Sequence, residues 1–124
     1  MTRALVVDDS KAVRLILART LAELGYEVRQ AANGREALEL IGQEGGSIGL
    51  VLLDWHMPEM DGLELLRRLR AEPTLSALVV VMVTTETDMA HVAEALAAGA
   101  NEYVMKPFTR EILVEKLQLA GASA

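Results

Sequence analysis

With 124 residues, 52% of them apolar, the chain has the length of one domain and enough apolar side chains for a layered core. Its 18 acidic against 12 basic side chains give a formal charge of −6, which argues against non-specific nucleic-acid binding; cysteine is absent, which excludes disulfides and thiolate metal sites and makes a cytoplasmic location the expectation. No apolar run approaches the roughly 18 residues of a membrane span, and Met1-Thr2-Arg3 does not open the apolar segment of a signal peptide, so neither membrane insertion nor a leader is expected.

Strand-like runs alternate with helix-like ones. Ala4 to Val7 reads as a first strand. Lys11 to Leu24 follows with Val13, Ile16, Leu17, Leu21 and Leu24 at helical spacing, Ser10 placed to cap its start and Gly25 to stop it. Glu27 to Ala31 is a short second strand, and Asn33-Gly34 turns the chain into a short helix, Glu36 to Ile41, with Ala37, Leu38 and Ile41 as its apolar stripe. The glycine-rich stretch Gly42 to Gly49 predicts a loop, and it lacks the lysine of a phosphate-cradling P-loop. Leu50 to Leu53 is apolar throughout, as a strand buried on both faces requires. Asp61-Gly62, read as a turn or cap, leads into a helix from Leu63 to Leu69 whose Arg67, Arg68 and Arg70 face water. Pro73 then breaks the chain. Leu78 to Val83 is the fourth strand and runs into Thr84-Thr85. Met89 to Ala97 predicts an alanine-rich helix with a solvent-facing His91, closed by Gly99; Glu102 to Met105 is the fifth strand, and Thr109 caps a last helix to about Leu119.

Five strands each followed by a helix predict an α/β fold, a parallel sheet with helices on both faces because right-handed crossovers place them there. The flavodoxin-like order 2-1-3-4-5 sets strands one and three side by side at a topological switch point, where open sheets of this kind bind ligands. Asp8-Asp9, Asp54 and Lys106-Pro107 each end an apolar run, so three carboxylates and one ammonium converge on one edge. Like charges a few ångströms apart raise one another's pKa, and a hard divalent cation relieves the conflict. Mg²⁺ suits it best, because it takes one or two carboxylates, keeps several waters and leaves positions for phosphate oxygens.

The segments Asp8-Asp9-Ser10, Asp54-Trp55-His56-Met57-Pro58-Glu59-Met60-Asp61-Gly62, Val83-Thr84-Thr85 and Tyr103-Val104-Met105-Lys106-Pro107-Phe108-Thr109 stand in the order and spacing of one family. Over its whole length the chain resembles receiver domains of two-component response regulators, in their stand-alone, CheY-like chemotaxis form. The resemblance implies that Asp54 accepts a phosphoryl group from a histidine kinase as an acyl phosphate. It further implies that Asp9, Asp54 and the main-chain carbonyl of Trp55 ligate Mg²⁺, with Asp8 helping directly or through water. Lys106 would contact the phosphoryl oxygens, and Lys106-Pro107 would be a cis peptide. Thr84 and Tyr103 would form the switch: the hydroxyl turns to a phosphoryl oxygen, and the ring swings into the space it leaves. The output face would comprise the fourth helix, fifth strand and fifth helix, meeting a downstream protein target such as the flagellar motor switch. A monomer with no output domain and no turnover of an external substrate is expected.

Two positions depart from the commonest family pattern. His56 stands where smaller or amide side chains are frequent, and Thr85 where Ala, Ser or Gly is usual; both should border the route of water to an acyl phosphate. Blander readings compete elsewhere. A lone threonine or lysine at a strand end is commonly a solvated polar group, Tyr103 can be plain packing, and Met57 and Met60 read as loop and core packing. Three other readings stay open: a phosphorelay intermediate, a phosphorylation-independent interaction module, and a Mg²⁺-dependent phosphatase. His56 weighs against the last, since it stands where a general acid would be sought.

Overall fold

The computed structural model describes residues 2–85 and 90–124. Five strands, β1 (Arg3–Val7), β2 (Glu27–Ala31), β3 (Ile48–Asp54), β4 (Val79–Thr85) and β5 (Glu102–Lys106), pair in parallel in the order β2-β1-β3-β4-β5. Helices α1 (Lys11–Glu23), α2 (Gly34–Glu44), α3 (Gly62–Ala71), α4 (Val92–Ala97) and α5 (Arg110–Leu119) fill the connections. The flavodoxin-like α/β architecture expected from the strand–helix alternation is the one observed.

The apolar strands are explained by a period of two read on both faces. Leu5, Val7, Val51, Leu53, Val80 and Met82 join one core cluster with Ala37 and Ile41 of α2, Leu65, Leu66 and Leu69 of α3, and Ala95 of α4. Their neighbours Ala4, Val6, Leu50, Leu52, Val81 and Val83, with Val104 of β5, join the other, against Leu17 and Leu21 of α1 and Leu113 and Leu117 of α5. The starts of α1, α2, α3 and α5 are each fastened by a short polar side chain that accepts an orphan amide. Ser10 accepts from Val13 at 3.3 Å, Asn33 from Glu36 at 2.9 Å, Asp61 from Glu64 at 2.9 Å and Thr109 from Ile112 at 3.1 Å.

Several boundaries move. The expected loop from Gly42 to Gly49 is mostly regular: α2 continues through Gly42 to Glu44, one 3₁₀ turn spans Gly45–Ser47, and β3 begins at Ile48. Tertiary contacts outweigh glycine's poor helix propensity here. Ile41 packs in the core, and the Glu44 carboxylate is held by Arg3 and, at 2.8 Å, by Arg29. Ile16, placed on the apolar stripe of α1, is 56% exposed because the helix turns Leu17 and Leu21 inward. Arg70 faces water only in part; its guanidinium donates to the carbonyls of Gly99 and Leu75 and to Asn101 Oδ1, clamping the ends of α3 and α4, and burial lowers its pKa. Met57 and Met60 pack on the core as read. Met89, the expected start of the fourth helix, lies outside the described residues, and α4 is assigned from Val92.

A Cβ added at Gly42 would meet nothing within 4 Å. Gly42→Ala is therefore expected to raise unfolding stability by about 0.5–1 kcal/mol, read as a higher urea midpoint at unchanged slope. A lower midpoint would contradict the continuous helix.

Candidate functional site

Register alone delivers the polar set to one edge. Val7 pairs with Leu53, so the residues that follow, Asp8 and Asp54, leave the sheet side by side. Asp54 pairs with Val83, which brings Thr84 out one step further along β4, and Thr85 pairs with Lys106. Asp8 is 1%, Asp54 7% and Thr84 1% exposed, while Asp9 is exposed. Tyr103 lies deeper, opposite Met82, half-buried against the core.

The Lys106 ammonium reaches across the edge to Asp8 Oδ2 at 2.9 Å and Asp54 Oδ1 at 3.3 Å. Asp8 is engaged on its other oxygen too, for Oδ1 accepts the Ser10 amide at 2.8 Å. Its main-chain carbonyl accepts from Arg14 at 2.7 Å, a support that no motif in the sequence signals. Asp54 bears the electrostatic strain. Burial first, then the negative charge of Asp8, push its carboxyl up from 3.8 to about 6, against the opposing pull of Lys106. For Lys106 burial acts in the opposite sense, but the Asp8 hydrogen bond and the charges of Asp54 and Asp8 outweigh it and raise the ammonium's pKa.

Carboxylate oxygens of Asp8, Asp9 and Asp54 lie within 4.8 Å of one another, a cluster that could hold a metal ion. An all-oxygen donor set of two buried acids and one exposed one fits a hard cation, and Mg²⁺ among these. The Trp55 carbonyl already accepts the Gly62 amide at 2.8 Å, which leaves it one lone pair. That contact explains the glycine: a Cβ at Gly62 would lie 2.3 Å from the Asp54 main-chain oxygen and 3.1 Å from Trp55 Cα. The start of α3 is thereby pressed onto the peptide after Asp54. Sequence reading saw Asp61-Gly62 as a local turn, since nothing local indicates this close approach.

Two further contacts bear on the site. The buried Trp55 indole stacks on His91 at the start of α4, ring centroids 5.5 Å apart and planes at 22°. His91 is exposed as expected, but it has this packing role as well. The Thr84 hydroxyl donates to the Thr85 carbonyl at 3.4 Å, a long bond that a stronger acceptor can displace. The Lys106–Pro107 peptide is cis. His56 is exposed and Thr85 half-buried.

Unfolded, Asp54 ionises near its ordinary value of 3.8; folded, near about 6. Between the two the native state holds the extra proton, so this contribution to stability is fully present below the ordinary value and is lost as pH rises through about 6. In EDTA, Asp54→Asn is expected to abolish that loss and to stabilise the protein at neutral pH by roughly 1–3 kcal/mol. The check is the difference in unfolding free energy between variant and parent across the acid-to-neutral range; a constant difference would place the strain elsewhere.

The description "Response regulator receiver domain" matches residues 4–118. The chain is 44% identical over 117 residues to a chemotaxis protein CheY homolog of Campylobacter jejuni, covering 94% of this chain and 89% of that protein. It is 43% identical over 118 residues to the chemotaxis protein CheY1 of Helicobacter pylori, with 94% of each covered. Among solved structures, the chemotaxis response regulator CheY4 of Vibrio cholerae superposes with a TM-score of 0.86 at 36% identity, covering 97% of this chain and 98% of that one. A receiver domain protein from Clostridium thermocellum gives the same TM-score at 28% identity, covering 97% and 94%. Alignment over nearly the whole chain, the strand order 2-1-3-4-5 and the acidic edge of the sheet agree: this chain belongs to the response regulator receiver domain family, in its CheY-like form.

Proposed function

We propose that the protein is a stand-alone response regulator that takes a phosphoryl group from a histidine kinase onto Asp54 and passes the signal on by binding a protein target. The observation that carries this reading is the Lys106 ammonium shared between Asp8 and Asp54 inside a cluster of three carboxylates. A lone buried acid would be a liability; an acid with an ammonium at 3.3 Å and two further acids beside it is suited to a bound cation and an incoming phosphoryl group.

An Asp54 carboxylate oxygen attacks phosphorus in line, the P–N bond to the kinase imidazole breaks, and the departing nitrogen keeps the electron pair and takes up a proton. The product is an acyl phosphate on Asp54. Phosphoryl transfer is mostly positioning and charge neutralisation, which is the work left to this chain. Lys106 neutralises charge on the transferred oxygens; Ser10 and Arg14 hold the Asp8 backbone and carboxylate in place. Asp9 and Asp54 would hold Mg²⁺, with Asp8 direct or through water and the remaining lone pair of the Trp55 carbonyl. Once bound, Mg²⁺ offsets the negative charge of the carboxylates and of the phosphate. By offsetting the charge of Asp8, which adds to burial in raising the Asp54 pKa, it would favour the ionised nucleophile.

The long Thr84 bond supports a switch role: three strong phosphoryl acceptors compete with a carbonyl held at 3.4 Å. Turning of Thr84 would free space for the Tyr103 ring and alter the face built by α4, β5 and α5. The chemotaxis names of the relatives support a chemotaxis role and a flagellar motor target. A cytoplasmic monomer that processes only its own phosphoryl group completes the reading; no helix among the described residues is long and apolar enough to cross a membrane.

Incubation with acetyl phosphate and Mg²⁺ is expected to add one phosphoryl group by intact mass, lost in Asp54→Asn and in EDTA. A folded protein that gains none would favour a phosphorylation-independent module. Thr85 should narrow the route of water to the acyl phosphate and His56 should alter water positioning there. Thr85→Ala is accordingly expected to speed dephosphorylation by about 2- to 10-fold, and His56→Asn to change it measurably; equal decay rates in parent and both variants would refute this.

A further inference from the structure

We propose that Lys116 and Glu102 form a latch that holds the Tyr103 ring in its resting place and so sets the resting bias of the switch. The proposal rests on the switch reading of Tyr103 given above. The Lys116 ammonium of α5 lies 4.2 Å from the Tyr103 ring centroid. It is also 3.5 Å from Glu102 Oε1, and that same oxygen accepts the Tyr103 amide at 3.0 Å. Carboxylate, ammonium and ring thus close a loop between β5 and α5.

The anchoring is asymmetric. Glu102 is tied to the backbone of the residue that follows it, on a strand fixed by its pairing with β4, so the carboxylate fixes the ammonium independently of the ring. Among the described residues, the ring packs on the core on one side and is held by the ammonium through its face on the other. An ammonium over an aromatic face at this distance is attracted by the ring quadrupole, and more strongly where both partners are half-buried than in open water. A ring that swings toward Thr84 leaves the ammonium behind, while the Lys116–Glu102 pair persists. The swung position therefore forgoes an attraction that the resting position has, and no compensating cation–ring contact is available from the pair. The expected bias is about 2- to 5-fold in the ratio of resting to swung ring, or roughly 0.4–1 kcal/mol. A latch of this size can be overcome by the charge-assisted bonds that a phosphoryl group offers Thr84.

The chain has two tyrosines, Tyr26 and Tyr103, so 3-fluorotyrosine gives two fluorine resonances, and a Tyr26→Phe background isolates the reporter on the switch. The readout is the H₂O/D₂O isotope shift of the Tyr103 resonance in unphosphorylated protein, which falls as the ring leaves solvent. Lys116→Met, which keeps the stem and removes the charge, is expected to raise the solvent-protected population by about 2- to 5-fold. Lys116→Arg should restore the parent value, and Glu102→Gln should shift it in the same sense as Lys116→Met. An isotope shift unchanged in both Lys116→Met and Glu102→Gln, with the Tyr26 resonance of the parent background intact, overturns the latch. Intact mass after acetyl phosphate treatment of the same samples reads the receiver chemistry separately: failure to phosphorylate would sink that reading, and the ring measurement, made without phosphate, would still decide this one.

Discussion

One ammonium between two buried carboxylates is the constraint around which the site is organised. Lys106 ends the last strand and Asp8 follows the first, 98 positions apart in the chain, yet they meet at 2.9 Å, with the strand that Asp54 ends lying between. The sheet must be parallel for all three strand ends to face the same way, and β1 must lie against β3 for the acids to be neighbours. A single positive charge cannot satisfy three carboxylates. Asp54, raised first by burial and then by the charge of Asp8, carries the deficit as a raised pKa, and the edge is left in a state that a cation or a phosphoryl group would change strongly.

Around that charge cluster the backbone is fastened where the chemistry would pull on it. Gly62 lets α3 approach the peptide after Asp54 more closely than any side chain would allow, and its amide occupies the Trp55 carbonyl. The indole of the same residue reaches α4 through His91. The residue after the phosphoacceptor candidate therefore links two helices on one face of the sheet, and Arg70 clamps the far ends of those helices to each other. On the other face, α5 is tied to β5 by Lys116 and Glu102. Rigid strands with a few weak, directional ties at their ends are the kind of arrangement in which a local change of charge can move a helix face without disturbing the core.

Under the proposed function, the long Thr84 contact lies where a switch would need a weak one. Thr84 is buried, so its hydroxyl requires a partner, and among the described residues that partner is the next residue's carbonyl at a distance near the limit of a hydrogen bond. Tyr103 is likewise half-committed, packed on the core by one side and held by an ammonium on the other. Under the proposed function, both are contacts with which a doubly charged group could compete.

Much of this was determined by the sequence alone. Runs that are apolar at every position can be strands only if both faces are covered, and their alternation with helical periods dictates a parallel sheet with helices on each side; the acidic and basic strand ends then meet by topology. Helix caps at Ser10, Asp61 and Thr109 were legible because a cap acts on an amide three residues away. Tertiary structure decided what depends on distant neighbours. Gly42 stays helical because Ile41 and Glu44 find partners elsewhere in the chain, Arg70 is drawn partly inward because the Gly99 and Leu75 carbonyls and the Asn101 side chain accept from it, and Ile16 is exposed because the stripe of α1 meets the core through Val13, Leu17, Leu21 and Leu24 instead. The close approach at Gly62, the Trp55–His91 stack and the Lys116–Tyr103 contact join residues 7 to 36 positions apart, and no local pattern marks them. Periodicity records which face of an element is apolar; which partners lie opposite that face is set only when the elements pack.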